Sequence, residues 1–303
     1  MSERLPNYGG QAVLEGVMMR GQKVSAVAVR APDQSIVLKV HPLSAIYSSR
    51  LAKIPFLRGL LMLWDALGTG ISALTFSANI QAGEEQEIEG APMFFVLLLS
   101  LAMGIGLFIL LPAGAAFMAE RYLAGIGWSS FWSSLLEGLI RLALLVGYIW
   151  AIGLTRDIGR VYAYHGAEHK TINAFEAGAS LTPSSVARFS REHPRCGTSF
   201  LLTVVVLSVL LFSLLGPMPL WLRLLSRLAL VPVLASLAYE YIRLSGRISH
   251  HAWGRLLIAP NLALQQLSSK EPDEKMIEVA IAAFEAMRTH EAQPESAPLA
   301  PGN

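Results

Sequence analysis

Residues 91 to 119 form an apolar segment that contains no charged side chain. A helix of about 20 apolar residues is long enough to cross the hydrocarbon layer of a bilayer. The composition agrees with such a segment, since 53% of the chain is hydrophobic and only 15% is charged, whereas a soluble domain has about 25% charged residues. The sequence therefore predicts a mainly α fold, that of a polytopic helical membrane protein.

Four transmembrane helices are expected within a membrane domain at 91–242. They are placed at about 92–118, 131–154, 198–215 and 224–242. Within the second, Glu137 and Arg141 lie four residues apart and can pair along one face of a helix.

The positive charges alternate along the chain in the way that four spans require. Lys and Arg number eight before residue 91, one in 120–130, six in 155–197, one near 220 and six after 242. Segments rich in Lys and Arg stay in the cytoplasm. This pattern predicts a multi-pass protein of the cell (inner or plasma) membrane, with both termini and the 155–197 connection in the cytoplasm.

The N-terminal segment before the first span is expected to contain regular secondary structure. Within 1–53, the apolar stretches 24–30 and 35–40 flank a short turn, which predicts a small β element. Residues 54–80 carry apolar side chains at three- and four-residue steps, the pattern of an amphipathic helix. We expect this helix to be interfacial or packed against the bundle, with a fifth span as the alternative.

The C-terminal segment is expected to be cytoplasmic. Residues 243–290 are predicted to be helical, since an amphipathic pattern follows Asp273. Residues 291–303 have the composition of a disordered tail.

The charge argues against a nucleic-acid-binding protein, and the cysteine content excludes an intrachain disulfide. The net charge is only +2, and no basic face is interleaved with aromatic residues, so we expect no nucleic-acid partner. Cys196 is the sole cysteine, so an intrachain disulfide cannot form.

The segment YHGAEHKTINAFE places His165 and His169 four residues apart, on one face of a helix. Two imidazoles so placed can chelate one metal ion. Glu168 lies between them, in the order H-x-x-E-H that metallohydrolases use with the glutamate as general base. The spacing predicts a divalent metal site, with zinc as the metal and Glu168 as the catalytic residue.

Three further residues are candidates to complete the ligand set. His193 and Cys196 lie in HPRCGTSF, and both side chains are competent zinc ligands; alternatively, Cys196 is a small buried residue and His193 a cap or headgroup contact. Glu240 lies near the end of the last span, where a carboxylate needs a ligand or an ion pair. Arg243 or Arg247 is its alternative partner.

Polar residues outside the ligand set could hold a substrate. The segment GGQAVLEGVMMRG carries Gln11, Glu15 and Arg20 among four glycines, and it forms either a lid over the site or a structural turn. Arg20, Lys170 and Arg195 could bind an anionic group. A site at the membrane surface suits a lipid-linked or membrane-peptide substrate.

Five separated motifs resemble those of the YqhQ-like family of bacterial multi-pass membrane proteins. They are GGQAVLEGVMMRG, the 55–78 stretch with Pro55, Arg58, Gly59, Asp65 and Ser77, YHGAEHKTINAFE, HPRCGTSF and PNLALQQLSSKEPD. One departure is Asn261, where the family pattern has Gly. The resemblance implies a metal-dependent enzyme without an assigned substrate. Carried over by position, the motif residues are Gln11, Glu15, Arg20, His165, Glu168, His169, His193 and Cys196.

Two interpretations of the function remain. The first is a membrane-embedded, metal-dependent hydrolase with its site at the cytoplasmic face. The second is a non-catalytic assembly factor or scaffold for membrane proteins, in which the metal is structural. Transport is disfavoured, because it needs ionisable residues deep in several spans and the sequence shows only Glu137 and Arg141 there.

Overall fold

The computed structural model of the protein describes residues 8–43, 54–83, 91–123, 129–248 and 251–292. The fold is mainly helical, with apolar membrane helices and a small antiparallel sheet near the N-terminus. This agrees with the predicted fold class. The tail predicted to be disordered was placed at 291–303. Its first residue, Glu291, is the last residue of a helix, and residues 293–303 lie outside the described part of the chain.

The sheet is a four-stranded antiparallel meander. Its strands are β1 (Gly9–Val13), β2 (Gly16–Arg20), β3 (Val24–Arg30) and β4 (Ile36–Pro42). The predicted pair at 24–30 and 35–40 is confirmed as β3 and β4. The β1–β2 hairpin was not predicted, because its glycines and polar residues lack the strand pattern of alternating apolar side chains.

Both faces of the sheet are covered, which explains why β3 is apolar at successive positions. Ala26 and Ala28 pack in the cluster that contains Phe284 of a C-terminal helix. Val27 and Val29 point the other way and pack with Ala73 of the first helix. Because side chains alternate along a strand, β3 serves two cores at once.

The apolar helices have the dimensions of membrane spans. Their bounds are α1 (Leu57–Ala82), α2 (Ala91–Ile105), a π-helical segment (Gly106–Leu110), α3 (Leu111–Leu123), α4 (Ser130–Ile152), α7 (Thr198–Ser213), α8 (Leu220–Ala229) and α9 (Val231–Ile248). By length and composition, three stretches can each cross a membrane: Leu57–Ala82, Phe94–Leu123 and Phe131–Ile152. The α8–α9 pair, bent by 43°, can form a fourth crossing, and α7 is a shorter apolar helix.

Helix α1, predicted to be interfacial or packed against the bundle, contacts both the sheet and α9. A Cβ added at Gly59 would lie 3.0 Å from Cβ of Tyr239, so α1 and α9 approach closely at this glycine. Packing against α9 thus fits the prediction, while the helix is also long and apolar enough to be a further span.

Four more helices complete the fold. They are α5 (Arg156–Glu176), α6 (Pro183–Val186), α10 (Ala252–Ser268) and α11 (Glu274–Glu291). The helix predicted after Asp273 is α11, and Asp273 caps it by accepting a hydrogen bond from the Met276 amide at 2.8 Å. Helix α5 packs against β1, β2 and α11 and begins four residues after α4 ends. It therefore lies where the sheet meets one end of the membrane helices.

Candidate metal centre

Three potential metal ligands converge beside α5. His165 and His169 lie one turn apart on this helix, with ring centroids 4.3 Å apart. Cys196 enters from the loop that leads into α7. One ligand atom from each of these three residues lies within 4.8 Å of the others, so the structure brings together one cysteine and two histidines.

Backbone carbonyls set the orientation of both imidazole rings. Nδ1 of His165 lies 2.8 Å from the Ser268 carbonyl oxygen, and Nδ1 of His169 lies 2.6 Å from that of Arg191. Because a carbonyl oxygen only accepts, each Nδ1 must carry the hydrogen. In the neutral ring, each Nε2 then presents a lone pair. Metal-bound histidines are typically oriented by such a second hydrogen bond.

The two Nε2 atoms differ in their surroundings. Nε2 of His165 lies 3.2 Å from Sγ of Cys196, while Nε2 of His169 is buried with no hydrogen-bond partner among the described residues. In a tetrahedral zinc site with bonds of about 2.0–2.3 Å, ligand atoms lie roughly 3.3–3.8 Å apart. The His165–Cys196 separation is close to that value, and the unpartnered nitrogen of His169 is the atom that a metal would engage.

Cys196 Sγ also has polar neighbours. The Thr198 hydroxyl oxygen lies 3.1 Å away, and the Thr198 amide donates at 3.4 Å. Thr198 thus brings both its hydroxyl and its amide to the sulfur of Cys196.

Glu168 is buried at the contact between α5 and β1. A Cβ added at Gly10 would lie 2.9 Å from Cγ of Glu168, so only a glycine leaves room for this side chain. Burial raises the pKa of Glu168 to about 7, although the nearby His165 and the hydrogen bond from the Gly10 amide lower it. The carboxylate is thus held beside His165 by the sheet.

His193 does not join the three convergent ligands. Its Nδ1 accepts from the Arg195 amide at 3.3 Å, so Nε2 carries the hydrogen and faces Oε2 of Glu176 at 3.5 Å. Its ring centroid lies 5.9 Å from that of His169. Burial lowers the pKa of His193, an effect that Glu176 opposes. His193 is therefore a neighbour of the centre.

Glu240 lies in an ion pair elsewhere. Its Oε1 accepts from Nε of Arg58 on α1 at 2.7 Å and from the Phe56 amide at 3.1 Å. The ion-pair alternative thus describes Glu240 better than the metal-ligand prediction, but the partner is Arg58 rather than Arg243 or Arg247. Glu240 joins α9 to α1.

The candidate substrate residues divide into two groups. Gln11, Arg20 and Arg195 line a cavity of about 190 Å³ together with Glu168, His169, His193 and Cys196. Of these, Arg20 pairs with Asp65 at 2.7 Å and Arg195 pairs with Glu176. Glu15 and Lys170 do not line that cavity: Glu15 pairs with Arg160 of α5 and Lys170 pairs with Glu271 at 2.6 Å. Glu15 and Lys170 therefore hold the fold around the site.

A second, larger cavity meets the first at the metal centre. It has a volume of about 750 Å³, extends between α4, α7 and α9, and is also lined by His165, Glu168 and Cys196. Arg141 and Arg227 line it as well, farther along these helices. The centre thus lies between a small polar cavity and a large apolar one.

The predicted pair in α4 is confirmed, and the structure adds a third member. Nη2 of Arg141 lies 2.8 Å from Oε1 of Glu137, and Nη2 of Arg227 on α8 lies 2.8 Å from Oε2. We refer to Glu137, Arg141 and Arg227 as the ionic triad.

Comparison with known proteins gives the family. A family profile described as "Protein of unknown function (DUF1385)" matches residues 54–290. "Uncharacterized protein YqhQ" of Bacillus subtilis (strain 168) is 35% identical over an alignment of 309 positions, gaps included. The alignment covers 96% of this chain and 95% of that protein. This chain belongs to the YqhQ-like family. No solved structure matches it significantly.

In this YqhQ-like chain, sequence reasoning missed the residues that position the site. Gln265 accepts from the His193 amide at 2.9 Å and donates to the His193 carbonyl at 3.0 Å, which anchors the loop that carries Cys196. Ser268 orients His165 through its carbonyl. Both belong to the motif PNLALQQLSSKEPD, which bore the family resemblance and was the available signal. Gly10, which admits Glu168, lies in the glycine-rich N-terminal motif.

Proposed function

We propose that this YqhQ-like protein is a metal-dependent hydrolase of the cell membrane, with zinc bound by His165, His169 and Cys196. The observation that carries the proposal is the Nε2 of His169, which is buried with no hydrogen-bond partner among the described residues. It belongs to a group of three side chains, His165, His169 and Cys196, whose ligand atoms lie within 4.8 Å of one another. Leaving a buried nitrogen without a partner costs about 1–3 kcal/mol. A metal ion would remove that cost.

The ligand types favour zinc, and their number favours catalysis. Two imidazoles and a thiolate form a donor set that zinc accepts readily. Catalytic zinc sites use three protein ligands and keep a fourth position open, whereas structural sites are closed by four. Three convergent ligands among the described residues therefore support the enzyme over a scaffold with a structural metal.

We assign Glu168 the role of general base. A zinc ion bound here would lower the pKa of a water molecule and polarise the bond to be cleaved. The Glu168 carboxylate lines both cavities, so it can accept a proton from the attacking water. Gln11, which lines the smaller cavity, would bind the polar part of the substrate, together with Arg20, which Asp65 holds in this cavity through an ion pair.

We place the site at the cytoplasmic face. The support is the alternation of Lys and Arg along the sequence, which assigns both termini and the 155–197 connection to the cytoplasm. The centre lies on this connection and at the ends of the apolar helices, so a substrate could reach it from the plane of the membrane.

Elemental analysis of protein purified without added metal tests the proposal. We expect about one zinc per chain in the wild type and in Glu168→Gln, and a loss of zinc in His169→Ala. The matched control is His290→Ala, since His290 lies on α11 and its Nδ1 contacts only the local Ala286 carbonyl; it should keep the metal.

Genetic complementation then separates the two functions. If Glu168→Gln retains zinc but does not restore the wild-type phenotype to a deletion strain, catalysis is supported. If Glu168→Gln complements fully, the metal is structural and the scaffold is favoured. Wild-type protein without stoichiometric transition metal would remove the chemical basis of the hydrolase.

A further inference from the structure

The large cavity has the properties of a binding site for one apolar chain. Its volume of about 750 Å³ falls within the range of about 300–1,000 Å³ that is typical of ligand sites. Its walls include Leu145 and Ile149 of α4 and Val205 and Phe212 of α7. Along α4, the lining from Arg141 to Ile152 extends about 16 Å at a rise of about 1.5 Å per residue.

The end of the cavity farthest from the metal centre offers no free charge. Arg141 donates to the Phe108 carbonyl, to the Ser208 hydroxyl and to Glu137. Arg227 donates to Glu137 and to the Ser226 hydroxyl. Every nitrogen of both guanidinium groups thus has a partner. The ionic triad closes the cavity as a polar floor and is not an anion site.

The cavity opens toward the surface that faces lipid. Tyr148 of α4, Leu201 of α7 and Val231 of α9 line it, and these residues are 42%, 46% and 41% exposed. Each lies on an apolar helix. A molecule dissolved in the bilayer can therefore enter sideways, without crossing water.

The chemistry of the walls selects a hydrocarbon chain over a peptide. An extended peptide brings an amide donor and acceptor with every residue, and each such group left unpaired in an apolar environment costs several kcal/mol. The polar groups of the triad already pair with one another or with nearby protein oxygens, so they are not available to a peptide. A hydrocarbon chain has no such groups, so it can pass from the bilayer into the cavity without leaving a polar group unpaired.

We propose that this cavity binds the apolar chain of a membrane lipid and presents the polar end of that lipid to His165, Glu168 and Cys196. The lipid is thereby the substrate class of the hydrolase, and this assignment rests on the proposed function. Occupancy of the cavity by the chain does not rest on it, because the apolar walls formed by α4, α7 and α9 can hold a chain whether or not the site is catalytic.

Photolabelling of the full-length protein tests the proposal. The probe is phosphatidylglycerol with a diazirine near the end of one acyl chain, in phosphatidylglycerol nanodiscs, and labelled residues are mapped by mass spectrometry. We expect labelling of Leu145, which is 6% exposed and lines the cavity. Val205→Trp should reduce that labelling at least about fivefold by overfilling the cavity.

The matched control is Val206→Trp. Val206 follows Val205 on α7 but is 51% exposed and is not among the residues that line the cavity, so the same added volume should leave Leu145 labelling unchanged. Gel filtration and circular dichroism verify folding, and Val204→Trp, also in the lining, replaces Val205→Trp if that variant misfolds. Equal labelling in all variants, or labels confined to lipid-facing residues, would overturn the proposal.

Two outcomes separate this inference from the hydrolase. Labelling in Glu168→Gln should equal that of the wild type, so a chain in the cavity would stand even if Glu168→Gln proves functional in cells. Conversely, Val205→Trp should lose complementation while Val206→Trp retains it. Full complementation by a Val205→Trp protein that no longer labels would show that only bulk bilayer lipid fills the cavity, and would overturn the substrate assignment.

Discussion

The two ends of the large cavity carry buried polar clusters that differ in one respect. In the ionic triad, Glu137 binds two guanidinium groups, and the remaining nitrogens of Arg141 and Arg227 donate to nearby oxygens. Both guanidinium groups also lie over the ring of Phe212. The distance from Cζ to the ring centroid is 5.4 Å for Arg141 and 4.3 Å for Arg227. At the metal centre, by contrast, Nε2 of His169 is buried without a partner among the described residues.

This difference separates a structural role from a binding role. A cluster whose polar groups are all paired stabilises the packing of α4, α7 and α8 and has nothing left to offer a ligand. A cluster that keeps a buried lone pair free is incomplete without a ligand. Each of the following predictions tests that contrast.

The largest effect is expected at the triad. Glu137→Leu leaves two buried guanidinium groups without their carboxylate, and breaking a buried ion pair in this way costs about 3–5 kcal/mol. Thermal unfolding in detergent should show this loss of stability. The zinc content of the protein that remains folded should not change; a parallel loss of zinc would show that the two clusters are not separate in function.

Zinc should stabilise the protein through the metal centre. At a free zinc concentration one hundred times the dissociation constant, a ligand that binds only the folded state adds about 2.7 kcal/mol. We expect this shift in thermal unfolding for the wild type and for His290→Ala, and none for His169→Ala. A zinc-dependent shift that survives in His169→Ala would place the metal elsewhere.

A smaller effect is expected where the sheet supports Glu168. Gly10→Ala would bring a methyl group within 2.5 Å of the Met18 carbonyl oxygen and 2.9 Å of Cγ of Glu168, an overpacking that costs about 1–3 kcal/mol. Gly9→Ala is the matched control, because nothing lies within 4 Å of its added carbon. Chemical denaturation in detergent measures both, and equal stabilities would contradict the tight contact between β1 and α5.

The smallest effect is expected at an exposed ion pair, which calibrates the others. Glu278 pairs with Arg30 at 2.6 Å, and its side chain is 56% exposed. Exposed pairs contribute about 0–1 kcal/mol, so Glu278→Gln should change the thermal unfolding midpoint only slightly. If it destabilises the protein as much as Glu137→Leu, burial is not what makes the triad important.

Features that depend on neighbours in sequence were predictable. The apolar segments indicated the membrane helices, because hydrophobicity and length suffice for a span. The four-residue spacing of His165 and His169, and that of Glu137 and Arg141, placed each pair on one helix face. The cap at Asp273 follows from the same local rules.

Which side chain would join His165 and His169 was not predictable. Three side chains can bind zinc, those of Cys196, His193 and Glu240. No local rule of sequence ranks them as ligands. Cys196 reaches the histidines because Gln265 anchors the preceding loop through two bonds to His193. Glu240 is removed from the set by Arg58, 182 residues earlier in the chain. Such contacts arise only when distant elements pack together.

By itself, the sequence determined that this chain is a helical membrane protein of the YqhQ-like family, with two histidines on one face of a helix. Periodicity and hydrophobicity are local properties, and a single segment carries them in full. Only the tertiary structure decided that Cys196 completes the group, that Glu168 lies against Gly10, and that an apolar cavity ends at the same place. These depend on contacts between α5, the sheet, α7 and α10, which the order of residues along the chain does not reveal.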